Sequence, residues 1–112
     1  MIMTIQNVEE AKKTIKTNDI VLFMKGTKDM PGCGFSAHVV QILNKMNVKY
    51  IDIDILNDNS FKESMKKFTN WPTFPQLYVK GEFVGGCDII KEMFETGELL
   101  ELFNTKGIDV KI

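Results

Sequence analysis

The sequence predicts an α/β fold in which a central mixed four-stranded sheet is flanked by helices. Three observations point to it: an unbroken apolar run of strand length at Ile20–Met24, helical apolar spacing on both sides of that run, and a tight hairpin pattern after Pro75. The chain has 112 residues, 44% hydrophobic and 26% charged, the balance of one compact domain with one core. One domain spanning residues 1–112 is therefore expected. The net charge is −1, and the 14 basic residues, all lysines, are scattered, which argues against nucleic acid as a partner. No apolar stretch approaches the ~20 residues that cross a bilayer, and Met1–Glu10 carries neither a signal-peptide nor a presequence pattern. The chain reads as soluble, not exported and not membrane-bound. Its two cysteines, Cys33 and Cys87, are too few and too far apart for a disulfide scaffold and suit a reducing compartment.

Asn7 and Glu10 have capping-box spacing, and Val8, Ala11 and Ile15 share one face of a first helix, ended by Thr17-Asn18-Asp19. Ile20–Met24 suits a central strand buried on both faces. Lys25–Gly34, glycine-rich and carrying Pro31, is a loop that feeds a helix from about Phe35, with Val39, Ile42, Leu43 and Met46 on its apolar face. Tyr50–Ile55 sets isoleucines against Tyr50, Asp52 and Asp54, a strand with one wet face. Two strands joined through a helix imply a right-handed βαβ unit. After the cap-rich turn Asn57–Asn59, Phe61, Met65 and Phe68 mark a helix that stops before Trp71-Pro72. Gln76–Val79 and Glu82–Val84 form a hairpin across Lys80-Gly81. Gly85-Gly86 precedes a helix with Asp88 as its cap and Ile89, Ile90, Met93 and Phe94 as its contacts, and Glu98–Phe103 forms a helical tail. This is a thioredoxin-like order.

The chemistry concentrates at Cys33. A cysteine between a strand and a helix N-terminus sits among unpaired amides and at the positive end of the helix dipole, which favour the thiolate. Lys25 could add positive charge there. The flanking glycines place Cys33 in a loop, against the alternative of a small buried apolar residue. Three positions on stands Ser36, whose hydroxyl cannot attack a mixed disulfide at neutral pH. The C-x-x-C cycle is thus closed to this loop, and release of a bound thiol must come from another small thiol or from Cys87. His38, the only histidine, falls on the polar side of its helix and is expected exposed and without a ligand. Gly85-Gly86 is no nucleotide loop, since G-x-G-x-x-G is absent.

Met24-Lys25-Gly26-Thr27 with Met30-Pro31-Gly32-Cys33-Gly34-Phe35-Ser36 resembles the C-G-F-S active-site loop of monothiol glutaredoxins. Trp71-Pro72-Thr73-Phe74-Pro75-Gln76 and Gly85-Gly86-Cys87-Asp88 are similar to that family's two other signatures, in the same order and over nearly the whole chain. The match is to the short form, without an appended thioredoxin module.

The resemblance implies a glutaredoxin fold with a cis bond before Pro75 and a glutathione site in which Phe74 supplies its backbone N–H and C=O. Pro72 and Pro75 could otherwise serve only to end a helix. Lys25 and Lys62 would meet one carboxylate of the tripeptide, and the amides of Cys87 and Asp88 the other. Members of the family commonly carry arginine at the position of Lys62, and lysine lacks the bidentate fork. Cys87 reads either as a resolving thiol or as a small residue whose amide faces the ligand. A [2Fe–2S] centre wants four thiolates, and this loop offers one. Cys33 from each of two chains and two glutathione thiols would complete the set, which implies a cluster-bridged homodimer acting in iron–sulfur assembly and passing clusters to recipient proteins. A BolA-like protein is the other partner implied. The alternative function is a glutathione-dependent oxidoreductase working on protein–glutathione mixed disulfides by a monothiol route. The expected compartment is the cytoplasm, or an organelle matrix after processing.

Overall fold

The computed structural model describes residues 7–111. Its elements are α1 (Val8–Thr17), β1 (Ile20–Met24), α2 (Gly34–Lys45), β2 (Ile51–Asp54), α3 (Asn59–Thr69), β3 (Gln76–Val79), β4 (Glu82–Gly85), α4 (Cys87–Thr96) and α5 (Glu98–Thr105). The strands form one sheet in the order β2-β1-β3-β4, with β1 parallel to β2 and antiparallel to β3. This is the expected thioredoxin-like glutaredoxin fold.

Strand alternation divides the core between the two faces of this sheet. Ile20, Leu22 and Met24 of β1, with Leu77 and Val79 of β3, pack against α2, α4 and α5. Val21, Phe23 and Tyr78 turn to the opposite face, where Ala11 and Ile15 of α1 and Phe61 and Met65 of α3 cover them. All of β1 is buried, as its apolar run requires.

The local chemistry fixes the helix ends. Asn7 caps α1 by accepting the Glu10 N–H on Oδ1 at 2.9 Å, the first half of the capping box the spacing predicts, and its side-chain Nδ2 donates to the Glu10 carboxylate at 2.8 Å. Asp58 caps α3 through the N–H groups of Ser60 and Phe61, and α3 ends on Asn70 in the left-handed conformation. Lys80 and Gly81 both take positive φ, the backbone of a two-residue hairpin turn.

Four expectations need correction. Tyr50 shares its parity with Asp52 and Asp54, but it is buried in the core beside α2 rather than wet. The wet face of β2 is in fact roofed by the Lys25–Gly34 loop: Asp54 accepts the Gly26 N–H at 3.0 Å and Asp52 that of Lys28 at 2.9 Å. Asp88 is not a cap, because α4 already begins at Cys87 with Gly86 as its N-cap. His38 is half-buried rather than exposed. Beyond α5, Ile108 joins the core and the Lys111 N–H bonds the Met46 carbonyl at 3.1 Å, a strap the sequence pattern did not reveal.

Candidate functional site

β1 delivers the chain to Lys25, and the loop then closes on itself. The Gly32 N–H donates to the Lys25 carbonyl at 2.7 Å, while Thr27 and Met30 exchange backbone bonds across the tip. Gly26 stands at φ +82°, and a Cβ there would lie 2.5 Å from both the Gly32 nitrogen and the Met30 oxygen, so only glycine fits. The pinched loop delivers Cys33 to the N-cap of α2, where its Sγ accepts the Ser36 N–H at 3.4 Å. Ser36 is wholly buried. Its hydroxyl lies 3.5 Å from the sulfur and accepts the Lys25 N–H at 3.1 Å. The position that would hold a second thiol thus ties Lys25 and Cys33 together.

Burial acts to raise the Cys33 pKa, but the Ser36 hydroxyl, the Ser36 and Phe35 amides and the Lys25 ammonium outweigh it. The net result is a thiol below its ordinary range. Cys87 goes the other way: burial and the adjacent Asp88 raise it, with Lys91 opposing and the nearby Cys33 adding to the rise. Its place at the start of a helix does not rescue it.

Beside the thiol opens a cavity of about 360 Å³. Its walls include Lys25 from the loop, Lys62 from α3, Phe74-Pro75 ahead of β3, and Cys87 and Asp88 at the start of α4. Every residue singled out in the sequence for binding the tripeptide therefore borders one space. Cys33 itself stands next to this lining, its neighbour Phe35 forming part of the wall. The Phe74–Pro75 bond is cis, as the resemblance implies. Buried Gln76 steadies that segment by donating from Nε2 to the Trp71 carbonyl at 3.2 Å and the Thr73 carbonyl at 3.0 Å. Gly86 offers no side chain to cap α4, so its first-turn amides have no side-chain cap, and Gly86, Cys87, Asp88 and Ile89 border the cavity.

The sequence reading missed Lys66, Trp71 and Phe35 as lining residues. Lys66 was discoverable, since it lies four positions after Lys62 and so on the same helix face. It is ion-paired to Glu63 at 3.3 Å, whereas Lys25 and Lys62 form no ion pair among the described residues. Among those residues no cluster of three or more His, Cys, Asp or Glu side chains is arranged to hold a metal ion. None of the described helices is long and apolar enough to cross a membrane.

A thiol with a lowered pKa, capping the helix after the first strand of a mixed sheet and followed three positions on by serine, defines a thioredoxin-like protein of the monothiol kind. Residues 20–84 match the glutaredoxin family model. The chain is 58% identical over 94 residues to the probable monothiol glutaredoxin 2 of Rickettsia typhi, covering 84% of this chain and 85% of that one. It is 52% identical over 99 residues to the chloroplastic monothiol glutaredoxin-S14 of Arabidopsis thaliana, covering 88% of this chain and 57% of the plant protein. The solution structure of a monomeric truncated mutant of Trypanosoma brucei 1-C-Grx1 superposes with a TM-score of 0.87 at 34% identity, over 96% of this chain and 98% of the other. The chain belongs to the monothiol glutaredoxin family.

Proposed function

We propose that residues 1–112 act as one glutaredoxin domain that binds glutathione beside Cys33 and, as a pair of copies, carries a [2Fe–2S] cluster for iron–sulfur assembly. The observation that carries this reading is the pairing of a lowered-pKa thiol, with no second thiol at Ser36, and an adjoining cavity whose ends suit a dianionic peptide. Lys25 and Lys62 take one carboxylate. The free amides of Cys87 and Asp88 at the start of α4 take the other, and the Phe74 backbone pairs with the peptide between them. Cys87 serves here as a small residue with a ligand-facing amide, since its raised pKa makes it a poor resolving nucleophile.

The cluster is cargo. One chain offers one thiolate in a suitable loop, so Cys33 from two copies and two glutathione sulfurs complete the ligand set, and the dimer persists only while both are bound. Ligands not tethered to the protein exchange readily, which suits transfer to recipient proteins or to a BolA-like partner. The cytoplasm is the proposed compartment. The chloroplastic relative keeps an organelle matrix as the alternative.

Anaerobic reconstitution with iron, sulfide and glutathione tests the reading. Charge-transfer absorption is expected for the parent chain and not for Cys33→Ser. Absorption that survives Cys33→Ser, or is absent from both, contradicts it.

The lowered thiol pKa also favours a second reading, as a monothiol oxidoreductase. In that chemistry the Cys33 thiolate attacks the glutathione sulfur of a mixed disulfide and releases the substrate as a thiolate. A second glutathione thiolate then attacks the Cys33-bound glutathione, freeing Cys33 and forming glutathione disulfide. Fast steady-state turnover on a glutathionylated peptide would favour it over the carrier.

A further inference from the structure

Lys25 and Cys33 lie eight positions apart in the chain, and their separation in space is set by how the loop between them is closed and anchored. The loop closes through the Gly32 to Lys25 bond and a bridge between Gly26 and Pro31. That pinch fixes its internal shape but not its seat on the sheet. The seat comes from side chains outside it. Ser36 accepts the Lys25 N–H from the α2 side, and two carboxylates of β2 accept from below.

The two carboxylates are not equivalent. Asp52 holds Lys28 out at the tip of the loop, where the same lysine's ammonium lies 4.0 Å from its carboxylate. Asp54 grips the base. Its Oδ1 accepts two amides at once, Gly26 at 3.0 Å and Leu56 at 2.9 Å, and the backbone beside it is fastened by the Ile55 N–H to the Met24 carbonyl at 2.9 Å. One oxygen thus ties the residue after Lys25 to the turn that leaves β2. Leu56 in turn touches the loop near the thiol, its Cδ1 lying 3.1 Å from where a Cβ on Gly32 would stand.

We propose that Asp54 is a positioning residue of the thiol site, whose carboxylate sets where Lys25 and Cys33 stand relative to each other by holding the amides of Gly26 and Leu56. It acts through the loop rather than on the sulfur. The groups that act on the Cys33 sulfur are the Ser36 hydroxyl and the Ser36 and Phe35 amides of α2, by hydrogen bonding, and Lys25 of the loop, by charge, while the Cys33 charge in turn raises Cys87 of α4. Losing the Asp54 tie lets Lys25 and the N-cap geometry relax away from the thiolate.

The sign of the effect separates positioning from simple charge. A carboxylate acting only through its charge disfavours the thiolate, so its removal would lower the Cys33 midpoint. Loss of position raises it. The experiment follows alkylation of Cys33 against pH, resolved from Cys87 by peptide mass spectrometry, in Asp54→Asn and Asp54→Ser. Asparagine keeps an oxygen for both amides. Serine keeps the local turn with Leu56 but is too short for Gly26.

We expect Asp54→Ser to raise the Cys33 midpoint by about half a unit, lowering its alkylation rate about threefold at pH values below the parent midpoint, and Asp54→Asn to retain the parent profile or fall slightly below it. A folded Asp54→Ser with an unmoved or lowered midpoint overturns the proposal, as does Asp54→Asn rising as far as serine. Amide exchange in the unaltered chain provides a second check that no failure to fold can spoil. The Gly26 and Leu56 amides should be protected together, and a Gly26 amide that exchanges like an open loop overturns the proposal.

Discussion

A single hydroxyl decides what kind of chemistry Cys33 performs. Ser36 denies the loop a resolving thiol, and the same oxygen lowers the pKa of the thiol that remains and satisfies the part-buried Lys25 amide. Ser36→Ala is expected to raise the Cys33 midpoint and to cost about 1–3 kcal/mol for the orphaned amide, read by alkylation and by denaturant melts. The two cysteines also oppose each other in stability. A thiol whose folded pKa is lowered adds stability that is complete above the unfolded value and is lost as pH falls through the folded one. Cys33 is of this kind, while Cys87, raised in the fold, destabilises above the ordinary thiol range. Cys33→Ser should therefore lose a gain in stability that builds as pH rises up to the ordinary thiol value, and Cys87→Ser should relieve a loss that builds as pH rises beyond that value. At the other end of the cavity, Lys62→Arg should tighten glutathione binding about two- to fivefold by restoring a forked donor, and Lys62→Ala should weaken it. Calorimetric titration with glutathione measures both.

The site takes its walls from α2, α3 and α4 and its anchors from α2 and β2, and the elements differ in how plainly their sequences announce them. Those with a local signal were legible: the Asn7–Glu10 capping box, the wholly apolar β1, and the hairpin with Lys80 and Gly81 at positive φ. What escaped depended on partners distant in the chain. Tyr50 follows the parity of Asp52 and Asp54 yet is buried, because it joins the core cluster on the α2 side of the sheet and the Lys28 ammonium of the loop lies 5.1 Å over its ring. Asp88 resembles a cap, but Gly86 lets the helix begin two residues earlier and leaves its first turn without a side-chain cap. The cavity wall was legible through motif resemblance, whereas Lys66 needed helix geometry and Gln76 needed the fold. Gln76→Leu should leave the Trp71 and Thr73 carbonyls without their donor, costing about 1–3 kcal/mol, and loosen the Phe74 edge. Lower melting together with weaker glutathione binding is expected. Asp58→Ala should cost about 1 kcal/mol by uncapping α3, the helix that carries Lys62.

At the scale of the whole molecule, stability and function are segregated. The core lies on both faces of the sheet, whereas the thiol end exposes large apolar side chains: Phe35 is 64% exposed beside Cys33. Phe103, wholly buried under the sheet, should cost about 3–5 kcal/mol on truncation to alanine. Phe35→Ala should leave the melting transition nearly unmoved. The central claim is that one activated sulfur per chain borrows the sulfur of glutathione to hold a shared cluster. Its most direct test is the content of the protein purified without oxygen: iron, acid-labile sulfide and glutathione per chain, with the mass of the species that carries them. Equal amounts of all three, one of each per chain and confined to a dimer, are what the account predicts. Iron and sulfide on a monomer, or on a dimer without glutathione, would contradict it.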